Sequence, residues 1–176
     1  MLKSVTTFMR AVTVWLNAAG TALILLIMFM VNLDVFSLNL RNAPIAGVKE
    51  SVALSIAVIV FLQLPETLRA RRHIVSDAWL NTMLRRVPRV GQSLQALYHL
   101  LGASIMGLIA YYGYPLATRA YDRGDFVGTQ GVFTLPEWPT FAIVVFCAVV
   151  AAVQYLLMSL QFALNAFDKA SPVETV

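Results

Sequence analysis

Two histidines, one cysteine and nine carboxylates carry the widest chemical range in this 176-residue chain. His73 and His99 raise haem first, because paired imidazoles on neighbouring helices are one way a protein ligates it. His73, however, sits beside Arg71 and Arg72 in a stretch expected to be wet. That setting suits a headgroup or carboxylate contact better than an apolar slot, so a haem-bearing membrane anchor of a redox complex stands as the alternative reading. Cys147 is the single cysteine and can form no internal disulfide, and with the histidines it assembles no metal set. Ser, His and Asp groupings and phosphate-cradling glycine loops are absent. No catalytic residue, metal or cofactor is therefore expected, and the chain reads as a non-enzyme.

The elements that must position these residues are set by composition. The chain is 59% hydrophobic and 12% charged, with a mean hydropathy of +0.74. Soluble domains carry about 25% charged residues, so a water-facing globule is excluded. A span needs about 20 mostly apolar residues to cross a hydrocarbon core of roughly 30 Å. Four segments meet this, at about 11–33, 47–68, 93–116 and 138–164, and make residues 1–176 one integral membrane domain. The second carries Lys49 and Glu50 into its outer turn. The apolar stretch after Lys3 and Arg10 is too long for a signal sequence and lacks an evident cleavage site, so it reads as a retained anchor.

Orientation follows the basic residues. Lys3, Arg10, Arg69, Arg71, Arg72, Arg85, Arg86, Arg89 and Lys169 fall on one side, and Arg41, Lys49, Arg119 and Arg123 on the other. The expected fold is an all-α membrane protein with four transmembrane helices and both termini inside. A short amphipathic interfacial helix at about 76–87 is expected in the cytoplasmic loop between helices two and three. There Trp79, Leu80, Met83, Leu84 and Val87 share one face, Ser76 or Asp77 caps the start and Pro88 ends it. The pI of about 9.5 reflects this topology and an attraction to anionic membrane lipid, not nucleic acid.

Nothing ionisable lies near the midplane of any span, which argues against a chain that moves ions or substrates by itself. Asn17, Asn32, Gln63, Gln154 and Gln161 are expected as hydrogen-bonding links between helices. Ala18 with Ala22, Ala103 with Gly107 and Ala110, and Ala148 with Ala152 form small-residue seams. Tyr111, Tyr112 and Tyr114 at the end of span three and Trp138 at the start of span four read as an interfacial belt. The largest outer loop, 119–137, is the expected contact for an external protein.

Asp34, then Asn42-Ala43-Pro44, Gly47 and Glu50, then Val60-Phe61-Leu62 with Leu64-Pro65, then His73-Ile74 and Asp77 carry a family resemblance. In that order and spacing they resemble the small permease subunit, DctQ-type, of tripartite ATP-independent periplasmic (TRAP) transporters. The match is closest over residues 34–77, and the Leu135-Pro136-Glu137-Trp138-Pro139 entry to span four extends it. The family often has an Arg near the position of Leu38; here Arg41 stands about one turn later.

The resemblance implies a multi-pass protein of the bacterial inner membrane, acting as the scaffold subunit of a sodium-coupled symporter. A large permease subunit would carry the substrate and ion sites. A periplasmic substrate-binding protein would deliver an organic acid or similar small anionic solute, docking through 119–137. By the same resemblance Asn42, Pro44, Gly47 and Glu50 shape the outer turn, with Glu50 accepting hydrogen bonds or pairing with Arg41, and Asp34, at the outer end of span one, is a structural or partner-interface residue. His73 and Asp77 organise the inner loop.

Overall fold

The computed structural model describes residues 2–69, 88–129 and 131–167. Four helices make up most of it: α1 Leu2–Arg41, α2 Val48–Arg69, α3 Pro88–Arg123 and α4 Trp138–Phe167. All four are long and apolar enough to cross a membrane. The fold is thus an all-α membrane protein with four candidate spans. The amphipathic helix expected at 76–87 lies outside the described residues. Pro88 is the first residue of α3. That position suits proline, whose missing N–H has no intrahelical partner at a helix start and whose fixed φ already fits the helix.

Two helices are much longer than the spans read from sequence. At 1.5 Å per residue the 40 residues of α1 reach about 60 Å and the 36 of α3 about 54 Å, against a hydrocarbon core of roughly 30 Å. Polarity marks where lipid ends, but a helix in water still satisfies its own backbone. α1 therefore runs past Asp34 to Arg41, and α3 past Arg119 to Arg123. Pro65 and Pro115 are both accommodated within helices.

The helices do not pack in chain order. α1 lies on α2, α2 on α4, and α4 on α3, so the spatial order is α1, α2, α4, α3. Two clusters form the core. Val58 and Leu62 of α2 meet the fully buried Cys147 of α4, with Leu16 and Leu23 of α1 against them. Leu68 of α2 meets Ala103 of α3 and Ala151 and Tyr155 of α4.

Small residues set the close approaches, though not all those expected. Ala103, Ala148 and Ala151 are buried, whereas Ala18, Ala22 and Gly107 are exposed. The tight glycine contacts are elsewhere: a Cβ on Gly102 would stand 2.7 Å from Tyr155, one on Gly113 2.8 Å from Val145, and one on Gly20 3.0 Å from Gln63. Likewise the Ser159 hydroxyl makes the α4-to-α3 hydrogen bond, donating to the Ala96 carbonyl at 2.9 Å. The Asn32 amide donates within its own helix, to the Met28 carbonyl at 2.7 Å.

The segment expected as an open loop between α3 and α4 is partly ordered as a β-hairpin. β1 Phe126–Thr129 pairs antiparallel with β2 Phe133–Pro136, Phe126 opposite Pro136 and Thr129 opposite Phe133. α3 ends at Gly124, whose φ of +64° turns the chain. The Asp125 N–H donates to the Ala120 carbonyl and the Gly124 N–H to that of Tyr121, the paired bonds of a Schellman ending. The Glu137 N–H donates to the Asp125 carbonyl at 3.1 Å and closes the base of the hairpin. Trp138 stacks edge-on with Tyr121 at 5.5 Å, rather than with Tyr111, Tyr112 or Tyr114.

Candidate functional site

Asn42 ends α1. Its φ of +50° is left-handed, a conformation asparagine tolerates better than most residues, and its N–H donates to the Leu38 carbonyl at 3.0 Å. The chain then folds back on the helix it has left. The Ile45 N–H donates to Asp34 Oδ1 at 2.6 Å, and the Ser37 hydroxyl donates to the Ala43 carbonyl at 3.0 Å. Asp34 and Ser37, three residues apart on one helical face, thus hold the turn at two points. Pro44 lies between these anchors and fixes its own φ.

Gly47 closes the turn at a φ of +88° and is buried. A Cβ there would overlap the Phe133 ring, which β2 lays directly on the glycine. Val48, the first residue of α2, is buried beside it, 4% exposed. The hairpin of one connection therefore locks the turn of the other, joining Asp34, Asn42, Pro44, Gly47 and Phe133 in one unit. Glu50 follows at the start of α2, half-buried. Among the described residues the one ion pair is Arg69 with Glu66, so Glu50 and Arg41 do not meet as a pair.

Phe133 is the residue that sequence reading missed. Its local signal was weak, because the glycines at 124, 128 and 131 read as loop and hid the short alternation around it. The Asp34 contact carries a testable consequence. Asp34→Ala leaves the Ile45 N–H without its carboxylate partner, and should cost about 1 kcal/mol, read as a lower unfolding midpoint in detergent. Asp34→Asn, which keeps an acceptor oxygen, should recover most of it.

At the opposite end of the bundle, α1 and α2 meet through charge. The Arg69 guanidinium grips Glu66 one turn earlier, donating from Nε at 2.8 Å and from Nη2 to the other carboxylate oxygen. The same carboxylate faces Thr13 and Arg10 of α1. Thr13 is fully buried. His73 and Asp77, expected to organise this end, lie outside the described residues.

His99 stands on α3 facing α4. Because a carbonyl can only accept, its Nδ1 carries the proton it donates to the Gln95 carbonyl at 2.7 Å. Its ring lies 5.2 Å from Phe162, 5.8 Å from Tyr98 and 6.0 Å from Tyr155. These contacts give it a packing role at the α3–α4 seam. Among the described residues no group of three or more His, Cys, Asp or Glu side chains could hold a metal ion.

Four apolar helices tied by a turn-and-hairpin lock, with ionisable groups gathered at their ends, define a multi-pass membrane protein of the helical-bundle class. The particular family follows from comparison with known proteins. The model of the "Tripartite ATP-independent periplasmic transporters, DctQ component" family matches residues 27–164, well over half of the chain. The chain belongs to that family, and is a TRAP transporter small permease subunit. No curated protein and no solved structure gives a match.

Proposed function

We propose that the chain is a static scaffold subunit, holding a large TRAP permease subunit in the membrane while that partner binds and moves the solute. The reading rests chiefly on where ionisable groups fall. Between Arg10 and Asp34, between Glu50 and Glu66, between Arg89 and Arg119, and throughout α4, there is no Asp, Glu, Lys or Arg. A chain with its own ion or substrate pathway would place some of them there. The exposed surface agrees. α1 leaves Trp15, Leu25, Leu26, Met28, Phe29 and Phe36 uncovered, and its apolar stretch, like that of α3, is almost wholly exposed, whereas a third of that of α4 is buried. That is a surface for lipid and a membrane partner.

In this reading the transporter takes up an organic acid or similar small anionic solute with sodium, after delivery by a periplasmic binding protein. This chain performs no catalysis. It lies in the inner membrane with both termini in the cytoplasm, as the basic residues argue, and the 76–87 helix rests on the inner surface. The turn-and-hairpin end then faces the periplasm. There the hairpin, with Val132 70% exposed and Phe126 39% exposed at its edge, is the part of 119–137 best placed to meet the binding protein.

Purification tests the proposal. The tagged chain extracted in mild detergent should bring down a much larger multi-span protein, and its recovery as a stable lone monomer would count against the scaffold role. Glu50→Ala should weaken that assembly or lower uptake while leaving substrate preference unchanged. A changed preference would mean that this chain lines the transport site.

A further inference from the structure

We propose that the cavity between α1, α2 and α4, at the end away from the hairpin, seats the phosphate of an anionic phospholipid. It has a volume of about 330 Å³, and its wall includes Arg10, Arg69, Gln154, Gln161, Leu157 and Met158. That is within the usual size range of small-molecule sites, roughly 300–1,000 Å³. Two guanidiniums face one space with one carboxylate, Glu66, beside them. Glu66 hydrogen-bonds only Nε and Nη2 of Arg69, leaving the other donors of that fork, and exposed Arg10 faces the same carboxylate without a hydrogen bond to it, so its donors can also reach an anion. Arginine forks match the oxygen geometry of phosphate.

The second observation is Gln154. It lines the cavity, is only 8% exposed, and its Oε1 has no hydrogen-bond partner among the described residues. An amide oxygen accepts, so the phosphate itself cannot satisfy it; a headgroup hydroxyl such as that of phosphatidylglycerol can, while the amide N–H groups are left to donate to the phosphate. The third is the company the cavity keeps. Leu157 and Met158 make its apolar wall, and on α1 and α4 Phe8, Trp15, Leu156 and Leu160 are each about half exposed or more. A ligand with an anionic head and hydrocarbon tails fits both surfaces, whereas a free anion uses only the first.

The inference rests on the membrane-subunit reading but not on the partner. Its test is native mass spectrometry of the full chain in detergent, with dioleoyl phosphatidylglycerol, dioleoyl phosphatidylcholine or inorganic phosphate added. Phosphatidylglycerol should be retained in preference to phosphatidylcholine. Arg10→Gln should weaken its retention about fivefold, the factor per basic residue near an anionic surface. Arg10→Lys should restore most of that, and Arg119→Gln, at the other end of the bundle, should change nothing. An unaltered thermal midpoint in Arg10→Gln would separate lost binding from lost folding.

Equal retention of the two lipids, or an Arg10→Gln chain that binds as well as the parent, would overturn the assignment. Displacement of phosphatidylglycerol by millimolar inorganic phosphate would make this a free-anion site instead. Loss of the lipid whenever the large subunit binds would give the cavity to a partner's carboxylate. Failure to co-purify a large permease would sink the scaffold reading while leaving these lipid measurements standing.

Discussion

Gly47→Ala should be among the most damaging single-methyl changes in the chain, lowering stability by about 2–5 kcal/mol. Two independent costs add. A left-handed φ costs an ordinary L-residue about 1–2 kcal/mol, and the new methyl must force the Phe133 ring out of a packed position, about 1–3 kcal/mol more. The two can be separated. In Phe133→Ala the ring is gone, so adding Gly47→Ala should then cost only the backbone part. A thermal-unfolding double-mutant cycle in detergent reads the coupling directly, and a coupling near zero would mean that the hairpin does not lock the turn. Assembly with the large subunit should fall in parallel with stability.

The second large effect is expected at Ala151→Leu. Ala151 is fully buried in the cluster where Leu68 of α2 and Ala103 of α3 both reach α4. Three added carbons have no space there, and the backbones must separate, at a cost of about 1–3 kcal/mol. In a membrane little else holds helices together, since lipid tails are as apolar as leucine and association depends on close packing. Ala152→Leu, one position on and only half-buried, should cost far less. The pair is read by unfolding midpoint and by the fraction recovered as a monodisperse species. Equal effects at the two positions would show that the α2–α4–α3 junction is not where the bundle is tight.

That contrast shows how much was legible beforehand. Four spans, and a turn built on Asn42, Pro44 and Gly47, are readable because hydropathy, proline and glycine act locally; that Asp34 reaches across to the Ile45 N–H is not. The small-residue rule correctly named Ala103 and Ala148, but it took Ala152 for Ala151 and Gly107 for Gly102. Spacing of four residues identifies a stripe, and only the neighbour's position selects which side of the stripe is covered. The hairpin and its Phe133 contact escaped for a similar reason. Phe133 meets Gly47 across 86 positions of sequence, and nothing local in either residue encodes the other. At the far end Arg10, Glu66 and Arg69 were visible as charges and summed into an orientation. Their convergence on one cavity depends on how α1 and α2 cross α4.

The spatial order α1, α2, α4, α3 has a consequence for synthesis. α1 and α2 are made consecutively and pack together, so the first half of the chain can pair as soon as it enters the bilayer. α3 has no such neighbour waiting, because its extensive contacts are with α4, which is made after it. At about 5–20 residues per second α3 stands unmatched for seconds while the hairpin and α4 are made. Arrival of α4 joins both halves at once. A nascent chain that ends before Trp138 therefore presents a finished pair and an orphan, the form a membrane quality-control protease or an early-binding partner would meet first.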